Sequence, residues 1–322
     1  MRKPRIKLTD SVSVYHCISR AVGGQFLFEE RDREMFQRMA WQQADFCGVQ
    51  LITHSILSSH AHFEVRVPEP GPIPDETLLG RAERFYNPKS PLLRLLRQAM
   101  AERGALPEDL REKLRKRMGD VSVFMKELKQ RFSRWYNREH GRFGTLWAER
   151  FRSVLLEDRP EVVGVVAAYI DLNAARAGIV PDPKDYRFSG YGEAVGGNRL
   201  AQLGLLSFLG TEDWEQGGAE YRMRLFVEGG TAGESGKAVL DREAILEVLK
   251  AGGKIGCGQA LRLRIRYFQD GLVLGSEGWV NEIFGKFRDR FGPRRKTGAR
   301  KLRGLPFEGL RTARDLRKNV LT

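Results

Sequence analysis

His60 and His62 stand one residue apart in the stretch SSHAHFEV. Side chains alternate along a strand, so residues at i and i+2 point to the same face. Two neutral imidazoles side by side form half of a divalent-metal site. Histidine is scarce here, five in 322 residues, so two in one triplet mark this strand out. A second pair is Tyr169 and Asn173, inside the apolar run VVGVVAAYIDLNAARAG. At i and i+4 of a helix they share a face, one turn apart. A phenol can attack phosphorus, and a carboxamide oxygen can complete the coordination of a hard metal. Each pair also has an ordinary explanation: a polar strand face for the histidines, a buried tyrosine with a hydrogen-bonding amide for the other. Between them, residues 131–152 interleave Arg131, Arg134, Arg138, Arg142, Arg150 and Arg152 with Phe132, Trp135, Tyr136, Phe143, Trp147 and Phe151. Aromatics that stack on bases among arginines that bind phosphate make a single-strand groove. The same pattern also fits an amphipathic helix and strand with aromatics inside and arginines in solvent.

These residues need elements to carry them. Alternation and β-formers over 13–19 predict a strand. A helical period over 30–47, stopped at Gly48, predicts a helix. Residues 50–57 and 61–67 read as two strands joined by a very short connection, hence a hairpin. The turn-rich PEPGPIPD (68–75) precedes a charged, helix-prone insert reaching residue 118. A long helix over 121–139, a strand over 145–156 and a helix from Pro160 to 177, ended by Gly178, follow. The order β-α-β-β-α-β-α suits an α+β, ferredoxin-like antiparallel sheet with helices on one face. From about residue 181 the pattern becomes loop-like, then helical over 199–228 and 240–252. That divides the chain into a main domain (1–192, with the insert at 69–120), a helical linker region (193–239) and a smaller, basic, helical C-terminal domain (240–322).

The formal net charge is +14. From Lys286 to Lys318 there are 13 Lys/Arg against 3 Asp/Glu, so +10 of the excess sits in one stretch. Concentrated positive charge favours a nucleic-acid partner, because phosphate contacts release counterions. Arg294, Arg295, Lys296, Arg300 and Lys301 are the candidates there, with Arg134, Arg138, Arg150 and Arg152 in the main domain. The three cysteines are widely spaced and odd in number, which argues against a disulfide framework and fits a reducing cytoplasm. No run approaches the ~20 apolar residues of a membrane span, and the N-terminal stretch lacks a signal-type apolar region.

In this order SSHAHFEV (58–65), GTLWAERF (144–151) and AAYIDLNAARAGIV (167–180) resemble the REP-associated tyrosine transposases, part of the HUH single-tyrosine nuclease superfamily. The opening YHCISR (15–20) fits the same pattern, and the resemblance covers roughly residues 10–192. It implies the HUH nuclease fold. Carried over residue by residue, it gives His60, His62 and Asn173 as ligands of Mg²⁺ or Mn²⁺ and Tyr169 as the nucleophile. It also implies single-stranded DNA bearing hairpins from palindromic repeats as the partner, cut and rejoined through a 5′-phosphotyrosine. Ser59 stands where the family commonly has Asn, and NAARAG where it has NPVRAG. A non-catalytic, domesticated DNA-binding protein and an RNA-binding protein are the rival readings. Monomer and homodimer are both left open.

Overall fold

The computed structural model describes residues 5–227, 260, 261, 263–314 and 316. Seven strands form one sheet: β1 (Ser13–Arg20), β2 (Gln50–Ile56), β3 (His60–Val67), β4 (Arg152–Leu156), β5 (Val273–Gly275), β6 (Arg300–Lys301) and β7 (Arg311–Thr312), in the order β2-β3-β1-β4-β5-β7-β6. The first four strands pair antiparallel in the ferredoxin-like order, as the α+β expectation requires. The hairpin between β2 and β3 is closed by Leu57 N–H donating to His60 O at 2.8 Å. The strand expected over 145–156 is regular only from Arg152. Its first half instead crosses to β1 through a single antiparallel bridge between Ala21 and Trp147.

Helices cover both faces of the sheet, where the sequence pattern suggested one. The strands carry apolar residues on both sides, and each side needs a cover. Tyr15, Cys17, Phe63 and Val65 face α1 (Glu30–Cys47) and α5 (Val121–Glu139), with Phe36 stacked on Phe132 at 4.3 Å. Val14, Ile52, Val154 and Leu156 face α6 (Pro160–Asp171) on the opposite side. Local signals set the ends of these helices. A capping box of Glu29 and Asp32 starts α1, and the Asp120 carboxylate accepts from Ser122 and Val123 N–H to start α5. The insert folds into α2 (Asp75–Phe85), α3 (Pro91–Arg103) and α4 (Glu108–Arg115), docked on α1 by stacking of Phe46 on Phe85 at 4.1 Å.

After α6 come α7 (Asn173–Arg176), α8 (Gly190–Val195), α9 (Arg199–Leu206) and α10 (Trp214–Val227), the last two within the span expected to be helical. They bury Tyr191, Leu205 and Tyr221 against α6. The helix expected over 240–252 lies outside the described residues. The basic C-terminal stretch supplies α11 (Arg266–Asp270), α12 (Glu277–Lys286) and strands β5, β6 and β7. Its strands extend the main sheet, since β5 runs parallel to β4 with Leu155 paired to Val273. The strands are only two or three residues long, so they carry no alternation that would reveal them beforehand. Among the described residues, no helix is long and apolar enough to cross a membrane.

Candidate active site

The register of β1 on β3 fixes the site. Ile18 lies opposite His62 and Arg20 opposite His60. Because Phe63 and Val65 fill the α1/α5 core, the alternating partners His60, His62 and Glu64 emerge on the α6 face. There α6 presents Tyr169, and α7 presents Asn173 one turn later. Four residues 113 positions apart at the extremes thus meet at one place. The rings of His60 and His62 are 5.2 Å apart, and Tyr169 meets His62 edge-on at 6.4 Å. The Asn173 amide nitrogen lies 3.5 Å from His60 Nε2, while its Oδ1 accepts from Arg176 at 3.0 Å. A half-turn of the carboxamide would bring oxygen to the His60 side at the expense of the Arg176 bond.

A hydrogen-bond relay orients His62. His16 Nδ1 sits 2.8 Å from the Phe268 carbonyl, which can only accept, so Nδ1 carries the proton. His16 Nε2 is then the acceptor for His62 Nδ1–H, also at 2.8 Å. His62 is left with a bare Nε2 that is buried and has no partner. An orphaned imidazole lone pair beside a second imidazole fits a metal ligand, with His16 holding the ring as outer-shell partners do. Burial, then the neighbouring cations, keeps these rings neutral. His16 and His60 are lowered to about 4, and His62 falls well below the usual histidine range. Ser59 Oγ lies 3.0 Å from His60 Nδ1, so the residue that departs from the family pattern still supports this ring.

The Tyr169 side chain is 1% exposed. Its hydroxyl accepts from Gln269 Nε2 at 2.8 Å, and the Arg176 guanidinium lies 4.0 Å over its ring. Gln269 Oε1 in turn accepts from Arg20 at 3.0 Å and from Arg264 at 3.2 and 3.3 Å. Three guanidiniums therefore gather around the phenol, and the Nε of Arg20 is buried without a partner. Such a site suits an incoming phosphodiester anion. Behind it, Asp171 accepts from Thr53 Oγ1, Tyr191 N–H and Tyr221 Oη, and burial raises its carboxyl to about 7. Glu64 is buried with neither oxygen hydrogen-bonded, and burial raises its carboxyl well above the usual range.

His16, Gln269, Arg20, Arg176 and Arg264 escape sequence reasoning. Each is an isolated residue whose role exists only through packing. The YHCISR segment, which contains His16 and Arg20, and the NAARAG segment, which contains Arg176, were the available hints.

The arginine and lysine candidates divide into groups. Arg134 and Arg138 are exposed on the last turns of α5, and Arg150 is exposed on the stretch leading to β4. Arg134 and Arg138 belong to the helix that covers the face opposite α6. Arg152 is engaged by Glu149 at 2.7 Å and Asp270 at 3.0 Å. Arg295 is turned inward, over the rings of Phe284 and Phe291 at 5.2 and 4.8 Å, and donates to Thr297 O. Arg294 and Lys296 are exposed near it. Arg300 and Lys301 line a cleft of about 490 Å³ with Arg303, Arg311 and Glu277. That cleft lies at the β6 edge of the sheet, five strands from β3, or about 24 Å at a strand spacing of ~4.8 Å. The structure does not bring these C-terminal cations to the histidines. Of the aromatics in 131–152, Phe132, Trp135, Tyr136, Trp147 and Phe151 are core, and only Phe143 is exposed.

No family model matches the chain, and no curated protein matches it. A solved structure of a REP-associated tyrosine transposase bound to a REP hairpin is similar at 13% identity and a TM-score of 0.40, over 61% of this chain and 87% of that one. At that score the two folds agree only loosely, so the case for a function rests on this chain's own residues.

Proposed function

We propose that the chain is a metal-dependent, single-strand DNA nuclease and strand transferase with Tyr169 as its nucleophile, acting on DNA that carries palindromic hairpins. The observation that carries this reading is the convergence of His60, His62, Asn173 and Tyr169 from β3, α6 and α7, with the His62 Nε2 lone pair buried and unclaimed. His60, His62 and Asn173 would hold Mg²⁺ or Mn²⁺. When bound, the cation would neutralise charge on the scissile phosphate. Arg20, Arg176 and Arg264 would orient the phosphate, while Gln269, itself held by Arg20 and Arg264, holds the Tyr169 hydroxyl. Tyr169 Oη forms a bond to phosphorus, the bond from phosphorus to the 3′ oxygen breaks, and the proton lost by the phenol balances the one gained by the leaving 3′-OH. The phosphotyrosine ester stores the bond energy, so a 3′-OH of the same or another strand reverses the step without ATP. The exposed Arg134, Arg138 and Arg150 suit the phosphates of the single strand. The separate cleft at Arg300 and Lys301 suits the stem of a hairpin.

The test is incubation of the full chain with a labelled single-stranded oligonucleotide bearing a hairpin, plus Mn²⁺, resolved on a denaturing gel. A protein–DNA adduct that vanishes in Tyr169→Phe is the expected result. Cleavage without an adduct, or an adduct that persists in the variant, would replace Tyr169 by water or by another nucleophile. DNA binding without cleavage in the presence of Mn²⁺ would favour the domesticated binding protein.

A further inference from the structure

Among the described residues, the two most exposed large apolar side chains are Phe143, at 96%, and Phe26, at 84%. Single exposed apolar residues are ordinary on a protein surface, but these two sit on loops that the fold ties together. Val22 N–H donates to Leu146 O at 3.0 Å, beside the antiparallel bridge of Ala21 and Trp147. Antiparallel pairing sends the chain leaving Val22 and the chain entering Leu146 away from the bridge in the same direction. The loops at 23–27 and 141–145 therefore project from one end of the sheet. Both are pinned to α5, by Tyr136 Oη donating to Leu27 O at 2.9 Å and Asn137 Nδ2 donating to Gly144 O at 3.0 Å. Gly24 and Gly144 take φ of 66° and 88°, a left-handed backbone that shapes these tips as defined turns. The same loops border the turn before His60, since Ala21 N–H donates to Ser59 O and Phe28 N–H to Ser58 O, both at 2.8 Å.

The surroundings are cationic. Arg134, Arg138 and Arg150 are exposed on the same elements, and Arg142, next to Phe143, has a buried Nη1 without a hydrogen-bond partner. The other aromatics of this stretch are inside, so core packing does not account for Phe143 or Phe26. Exposed rings set among guanidiniums match unpaired nucleotides, whose phosphates seek the cations and whose bases stack on the rings. A purely apolar partner would have to desolvate the arginines without compensation.

We propose that Phe26 and Phe143 form a stacking platform for unpaired bases of the strand that reaches Tyr169. This rests on the nucleic-acid reading above and adds how the protein tells single-stranded from duplex DNA, since a duplex hides its base faces within its own stack. The test measures binding of a labelled single-stranded oligonucleotide and of the matching duplex at fixed salt, for wild type, Phe26→Ala, Phe143→Ala and the double variant. Both side chains are exposed, so the variants keep the fold, which a melting curve checks. Single-strand affinity falls about 5- to 150-fold for each stacked base lost, while duplex affinity is unchanged. Phe→Leu at either position loses as much as alanine, and Phe→Tyr retains binding. Unchanged single-strand affinity, equal losses on both DNAs, or full retention by leucine would each overturn the platform. A wild-type protein that binds no single-stranded DNA would overturn the nucleic-acid reading itself, and this inference with it.

Discussion

Gln269→Met removes one buried carboxamide while keeping side-chain length and nearly its volume, so it tests whether the C-terminal stretch belongs to the catalytic unit. Three groups lose a partner. The Tyr169 hydroxyl, 1% exposed, loses its 2.8 Å donor, and an unsatisfied buried polar group costs about 1–3 kcal/mol. Half-buried Arg20 loses the acceptor of its Nη2 at 3.0 Å, a charged bond of about 1.5–3 kcal/mol, and its Nε already lacks a partner. Arg264 is exposed and regains water, so its loss is near zero. A buried thioether is easier to desolvate than an amide, which offsets about 1 kcal/mol. The net loss is about 1.5–5 kcal/mol, roughly a 10- to 5,000-fold fall in the folded-to-unfolded ratio. Guanidinium unfolding followed by tryptophan fluorescence and circular dichroism reads this as a lower midpoint with coincident transitions. Arg152→Ala, which removes a partly exposed ion pair with Asp270, is the internal control and costs under about 1 kcal/mol. A Gln269→Met change under about 0.5 kcal/mol would refute the coupling of α11 to the nucleophile helix.

His16→Phe keeps an aromatic ring but removes the acceptor for His62 Nδ1, so Mn²⁺ affinity measured by calorimetry should fall about 10- to 100-fold, with a melting curve checking the fold; unchanged affinity would remove His16 from the site. Burial lowers His54 to about 3, so as pH falls the unfolded chain takes up that proton first, and this share of stability is lost from about pH 6.5 downward. His54→Gln should therefore lose about 2 kcal/mol less than wild type between about pH 7 and about pH 5 in paired denaturation curves. Equal losses would mean that another group dominates. The double variant Arg134→Ala/Arg138→Ala should weaken DNA binding for any sequence and lower the slope of log affinity against log salt by about 2, with stability unchanged; a full salt slope would place the DNA elsewhere.

The elements of the first half of the chain are legible because their signals are local. The 3.6-residue period of 30–47, the Asp120 cap and the alternation of 61–67 act over a few neighbours, and the structure places α1, α5 and β3 accordingly. His60 with His62, and Tyr169 with Asn173, could be paired for the same reason, since each pair lies within one turn or one pleat. That the two pairs face each other was implied by the family resemblance but by neither local pattern. It depends on the register of β1 against β3 and on α6 crossing the sheet opposite α1. Distance along the chain hid the rest. Gln269 reaches Tyr169 from 100 residues away, and His16 reaches His62 from 46. Short strands such as Val273–Gly275 carry no period to read, so only pairing with β4 shows that the basic stretch extends the sheet. Sequence therefore determined the elements and the types of reactive group, because propensity and periodicity are short-range. Tertiary structure decided which groups meet, which lone pair is left bare and which cations face the phenol, because those depend on contacts between elements that no local pattern encodes.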